Sequence, residues 1–199
     1  MCTLFIGKTV NLHCANVKNV SVKSFQFMNK KLQLLEISPF TCMIEEYAAN
    51  GDLLQRIKRY GGIEEDESRF YFRQLIEALS YLQSVEVVHR DLKCENVFLD
   101  TCDNIKLGDF GFSRYMRAGD ESKTFCGSRA YTAPEVLRSR PYSGNTVDIW
   151  SAGVVLYVMV TGLMPYDDRH PKKMLIKQLQ HRLLHSTCSF LFIQVESIP

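Results

Sequence analysis

His89-Arg90-Asp91-Leu92-Lys93-Cys94-Glu95-Asn96 is the stretch on which the reading of this chain turns. It sets a carboxylate at Asp91, a lysine two residues later and an amide at Asn96. Thirteen residues past Asn96 stands Asp109-Phe110-Gly111, and further on Ala133-Pro134-Glu135. Any one of these triplets recurs by chance, whereas three in this order amount to a pattern. Between the first two lie the apolar runs 97–99 and 105–107, joined by Thr101-Cys102-Asp103-Asn104, which reads as a small hairpin. Residues 108–134 carry Gly, Ser and Arg with no strong period, so a long ordered loop of functional character is expected there.

Helices are expected on either side. Upstream, acids open the stretch 64–83, and Phe72, Leu75, Ile76, Leu79 and Leu82 follow at helical spacing. Before it, Asn50-Gly51 marks a turn, Asp52 sits at an N-cap position ahead of Leu53, Leu54 and Ile57, and Gly61-Gly62 breaks the short helix. Farther upstream, 31–37 and 40–45 read as strands separated by Ser38-Pro39. Downstream, 149–164 reads as a central buried helix and 172–184 as an amphipathic one. The apolar run 149–164 is short for a membrane span and ends at Pro165, and the apolar tail 188–195 is shorter still.

Bulk properties narrow the class. A length of 199 residues suits one domain with a sizeable core. The formal net charge of +2 gives no general attraction to nucleic acid or to a membrane, so a partner has to be argued from a site. Seven cysteines, an odd number without a C-x-x-C pair, fit reduced thiols in a cytoplasmic protein and leave no clustered zinc ligands. The first ten residues lack the layout of a secretory signal.

The three motifs resemble the catalytic loop, metal loop and activation-segment end of eukaryotic protein kinases. Lys106-Leu107-Gly108-Asp109-Phe110-Gly111-Phe112-Ser113-Arg114, Thr124-Phe125-Cys126-Gly127-Ser128, Gly51-Asp52-Leu53-Leu54 and Met164-Pro165-Tyr166-Asp167-Asp168 are similar to the testis-specific serine/threonine kinases, of the calmodulin-dependent-kinase-like group. The similarity covers roughly 31–180. It implies an α+β kinase-like fold, mainly the helical large lobe. The division is 1–30 unassigned, 31–47 a small-lobe strand remnant and hinge, 48–180 the large lobe, and 181–199 a divergent tail.

The resemblance also implies a serine/threonine protein kinase with ATP and Mg²⁺ as cofactors and protein substrates, in spermatid development. Phosphoryl transfer needs positioning and charge neutralisation more than covalent chemistry. Asp91 would accept the proton of the attacking hydroxyl, and Lys93 would sit by the transferring group. Asn96 and Asp109 offer hard oxygens to Mg²⁺, and Gly111 a tight turn beside it. His89 and Phe110 are read as packing residues. Glu46 and Ala48 would present backbone groups to adenine, and Asp52 would line the nucleotide site. Thr124 falls at a position phosphorylated by an upstream activating kinase, and its phosphate would pair with Arg90. The Ser128 hydroxyl would touch Asp91 and Lys93, Asp148 would brace the catalytic-loop backbone, and Trp150 would pack beneath the activation segment. Glu95 and Asp52 suggest substrates with basic residues upstream of the target.

Three departures set an alternative beside this reading. Residues 1–48 hold one glycine, Gly7, and no V-A-I-K-like strand, so the phosphate-covering loop and the clamping lysine are not recognised. Glu45 stands where a large apolar residue precedes the hinge, and past about His181 the arginine partner of Glu135 is not recognised, Arg182 being a substitute. The alternative is a catalytically impaired binding module or a fragment truncated at both ends.

Overall fold

The computed structural model describes residues 46–180 with side chains and three strands, Thr3–Ile6, Lys31–Ile37 and Phe40–Glu45, as backbone. These strands (β1, β2 and β3) form an antiparallel sheet in the order β1-β3-β2. β2 and β3 are the two expected strands, paired from Lys31 opposite Glu45 to Ile37 opposite Phe40, with a register shift between Lys31 and Gln33. β1 was not expected from sequence; its Thr-Leu-Phe-Ile run is too short for a period to show, and it pairs Thr3 with Glu45 through Ile6 with Cys42.

The hinge then leads into a short helix, α1 (Leu53–Tyr60). The Asp52 carboxylate accepts from the Gln55 N–H at 2.9 Å, the expected N-cap, while Gly61 closes the helix at φ 75 with its N–H on the Ile57 carbonyl. α2 (Glu65–Ser84) follows with three acids in its first turn and buries Tyr71, Leu75, Ala78, Leu79 and Leu82. A two-residue strand β4 (Val87–Val88) enters the catalytic loop. The loop ends in a 3-10 turn, Cys94–Asn96, and the hairpin β5 (Val97–Leu99) and β6 (Ile105–Leu107). The hinge exit is stitched to this hairpin: Asn50 N–H donates to Leu99 O at 3.0 Å and Leu99 N–H to Gly51 O at 2.8 Å.

Inside the long loop lies a strand that sequence reading missed. β7 (Arg114–Tyr115) pairs antiparallel with β4, Val87 opposite Tyr115. Two residues carry no periodic signal, so only tertiary pairing reveals it. A 3-10 turn at Arg129–Tyr131 and α3 (Pro134–Leu137), with its proline at N1, finish the segment.

The central helix α4 spans Gly144–Thr161, not 149–164. It begins earlier because Ser143 takes the extended N-cap conformation and the polar first turn 144–148 has no apolar period to read. It ends earlier because Gly162 adopts φ 68 and directs its N–H to the Val158 carbonyl. α5 (Pro171–Leu179) starts at a proline, one residue before the expectation, and residues 181–184 of that expectation lie outside the described residues. Val154, Val155, Val158 and Met159 of α4 join the α1–α2 core together with Leu92, Val97, Leu99, Ile105 and Leu107. A second cluster, Val88, Met116, Ala133, Val136, Tyr142 and Val147, lies under the activation segment, and Trp150 packs against both. No helix among the described residues is long and apolar enough to cross a membrane.

Candidate active site

The catalytic loop is held from beneath by one buried carboxylate. Asp148 is 5% exposed and takes the backbone N–H of His89 on Oδ2 at 2.7 Å and that of Arg90 on Oδ1 at 2.9 Å. Burial pushes the Asp148 carboxyl above the usual carboxylate range, against the His89 ring and these two donors, which favour the ionised form. The bracing role expected of Asp148 corresponds to this pair of bonds. Because α4 starts earlier than expected, the carboxylate projects from the end of its first turn.

His89 does more than pack. It is fully buried, with its ring centroid 4.8 Å from that of Phe110, and its Nδ1 accepts from the Asp91 N–H at 3.3 Å. That bond leaves Nε2 as the donor to Gly108 O at 3.0 Å. Gly108 N–H in turn donates to Asn96 O at 3.0 Å. The residue preceding Asp109 is thus bonded to both ends of the catalytic loop, and the metal loop is fixed against it.

Asp91 is where the donors converge. Its carboxylate takes Lys93 Nζ on Oδ2 at 2.8 Å and the Ser128 backbone N–H on Oδ1 at 2.7 Å. Lys93 Nζ also donates to Ser128 Oγ at 3.1 Å. Ser128 therefore reaches both expected partners, but Asp91 through its backbone and only Lys93 through its hydroxyl. Gly127 makes the approach possible: at φ 88, a Cβ there would lie 2.4 Å from the Arg90 carbonyl oxygen.

The donor set fits a hard divalent cation. Asn96 spends its Nδ2 on the Asp91 carbonyl at 2.9 Å, which commits the amide's donor side to protein and leaves its oxygen as the ligating atom. Asp109 is exposed, with one carboxylate oxygen receiving the Gly111 N–H at 3.3 Å. The left-handed residue of this turn is Asp109 itself, at φ 58; Gly111, expected to supply the turn, does not take positive φ. Aspartate tolerates that conformation when its side chain bonds backbone two residues on, as here.

Other expected site residues fall in varied surroundings. Arg90 donates its Nε to Phe112 O at 2.7 Å, and its Nη1 is buried with no partner among the described residues. Thr124 is exposed; its N–H donates to Ser122 Oγ at 3.2 Å, and its carbonyl accepts from Tyr142 OH at 2.9 Å. Asp52 engages both carboxylate oxygens with Gln55, so capping takes much of its capacity. Glu95 is exposed. Ala48 O accepts from Gly51 N–H at 3.3 Å. The Glu135 carboxylate has no partner among the described residues, and Arg182 lies outside them, as do the side chain of Glu45 and the stretch 7–30 searched for a glycine loop.

Two supports escaped sequence reading. Lys106 Nζ lies 3.3 Å from Glu46 Oε1, linking the strand before the metal loop to the hinge. Gln74 is buried on α2, accepting from Ile105 N–H at 2.8 Å and donating to Asn104 at 3.1 Å, so it anchors the hairpin turn. A polar residue on an apolar face was the available signal for Gln74; nothing in sequence pairs Glu46 with Lys106.

The protein kinase domain family matches residues 12–197. Testis-specific serine/threonine-protein kinase 2 of Mus musculus is 55% identical over 146 residues, 71% of this chain and 41% of the relative. Testis-specific serine/threonine-protein kinase 1 of Mus musculus is 53% identical over 146 residues, 71% and 40%. Its Homo sapiens namesake is 47% identical over 176 residues, 86% and 45%. The chain thus spans less than half the length of the curated relatives it matches.

Proposed function

The chain belongs to the protein kinase family, with the testis-specific serine/threonine kinases as its relatives, and from that membership we propose that it transfers the ATP γ-phosphoryl group to serine or threonine of protein substrates. The observation that carries this reading is the convergence on Asp91 of Lys93, Asn96 and Ser128 beside a fixed metal loop. MgATP supplies the phosphoryl group and the divalent charge. Asp91 orients the substrate hydroxyl and takes its proton as the new P–O bond forms and the bond to the β–γ bridging oxygen breaks. Lys93, already beside Asp91, neutralises charge on the transferring group. Asn96 and Asp109 would hold the Mg²⁺.

Regulation and selectivity follow the same logic. Phosphate on Thr124, placed by an activating kinase, would find a donor in the buried, unpartnered Nη1 of Arg90 and order the segment. Exposed Glu95 supports a preference for substrates with upstream basic residues. The testis-specific names of the relatives support a setting in spermatid development.

The deciding experiment incubates the purified chain with Mg²⁺, γ-labelled ATP and serine peptides with or without upstream arginine, beside Asp109→Asn. Transfer that disappears in the variant is expected. MgATP binding without transfer would instead favour the binding-module alternative, and loss of both would refute the proposal.

A further inference from the structure

The hinge, residues 46–52, crosses from β3 to α1 and rests on the β5–β6 hairpin at both of its ends. The exit is held by main chain: Asn50 N–H donates to Leu99 O at 3.0 Å and Leu99 N–H to Gly51 O at 2.8 Å. Asn50 Nδ2 adds a bond to Asp103 Oδ1, in the hairpin turn, at 2.8 Å. The entry is held by charge instead. Glu46 directly follows β3, and its Oε1 lies 3.3 Å from Lys106 Nζ on β6. Among the described residues, that ammonium is the only polar group to reach the Glu46 side chain.

Stability does not account for this pair. The Lys106 side chain is 9% exposed, so its charge has left most of its water. The second carboxylate oxygen of Glu46, Oε2, is buried without a partner. Desolvation of a part-buried ion pair can cancel its attraction, and such pairs persist where they fix one arrangement over others. What this pair fixes is the hinge backbone. The Glu46 carbonyl and the Ala48 N–H have no backbone partner among the described residues, which leaves both open to a purine base.

The same strand governs the metal end of the site. Asp109 stands three residues after Lys106, at most about 11 Å along the chain. Gly108, between them, receives His89 Nε2 on its carbonyl and donates its N–H to Asn96 O, each at 3.0 Å. β6 thus carries a hold on the hinge and leads into a hold on the metal loop. We infer that Lys106 is a positioning residue for the nucleotide: through Glu46 it sets the spacing between the base-binding backbone of the hinge and Asp109, so that one MgATP engages both. This rests on the kinase reading above and names the pair that keeps its two subsites in register. Two linked subsites bind one ligand far more tightly than either alone, and the gain is lost when their spacing is wrong.

The test titrates the full 199-residue chain and its variants Glu46→Gln, Lys106→Met and Lys106→Arg with MgATP and, separately, with adenosine, by calorimetry. Thermal melts establish that each variant is folded. The Glu46 side chain is 32% exposed, so Glu46→Gln carries the test should Lys106→Met fail to fold. Glu46→Gln and Lys106→Met are expected to weaken MgATP binding about tenfold and adenosine binding less than about threefold, because the base subsite survives and only its spacing to the metal loop is lost. Lys106→Arg, which keeps the charge, is expected to bind MgATP within about threefold of the native chain. The double variant Glu46→Gln/Lys106→Met should lose no more than either single change. Equal weakening of both ligands would reduce the pair to a support for the hinge alone, and unchanged MgATP affinity would leave it no part in binding. Either result, in a native chain that binds MgATP, overturns this inference and spares the kinase reading. A native chain that binds neither ligand overturns both.

Discussion

Replacing Asp148 with alanine removes the acceptor for two backbone N–H groups that have no other partner among the described residues, those of His89 and Arg90. A hydrogen bond to a charged acceptor is worth about 1.5–3 kcal/mol, and a buried donor left unmade forfeits its desolvation as well. Two such bonds give roughly 3–6 kcal/mol. Relief from burying the carboxylate, whose cost shows in the upward shift of its pKa, offsets part of this and brings the expected loss to about 3–4 kcal/mol. Arg90 adds to the stake: it sits at φ 65, and alanine leaves that left-handed residue with less to hold it. With a urea slope of about 2 kcal/mol per molar, the midpoint should fall by roughly 1.5–2 M. Asparagine keeps one acceptor but turns its NH₂ towards the second donor, so Asp148→Asn should lose about half as much. Urea denaturation followed by tryptophan fluorescence measures both, since Trp150, the one tryptophan, packs against both cores. A midpoint shift below about 0.5 M for Asp148→Ala would refute the claim that this carboxylate braces the loop.

Two further tests bear on the site's construction. Gly127→Ala should push Ser128 off Asp91, because the new Cβ would meet the Arg90 carbonyl; the Ser128 amide should then lose hydrogen-exchange protection, and unchanged exchange would count against the contact. Burial raises the Cys94 thiol to about 12, whereas in the unfolded chain it titrates near its ordinary value of 9.0. Between these the unfolded chain binds fewer protons, so this contribution to stability is complete below about pH 9 and is lost towards pH 12, at up to about 1.4 kcal/mol per pH unit. Thermal melts from pH 8 to 11 should therefore decline more steeply for the native chain than for Cys94→Ala, and parallel curves would remove Cys94 as the cause.

Residues whose chemistry is local were legible in the sequence. Asp91, Lys93, Asn96 and Asp109 announced themselves by type and spacing, Asp52 by its N-cap position, and α2 by its period. What escaped depends on partners distant in the chain. β7 is defined only by pairing with β4, 26 residues upstream in register at Val88 and Arg114. The early start of α4 hides in a polar first turn. That Ser128 meets Asp91 through its amide and not its hydroxyl follows from the path Gly127 allows, which no residue type encodes.

The short bond between the Ser128 amide and Asp91 Oδ1 works as an interlock. One carboxylate oxygen of Asp91 is held by the catalytic loop's own lysine, the other by a residue 37 positions away, in the segment that leads into α3. The Asp91 carboxylate is thus fully held only while that segment is seated against the loop. Displacing that segment would free one Asp91 oxygen without altering the catalytic loop itself, leaving the carboxylate to Lys93 and Asn96.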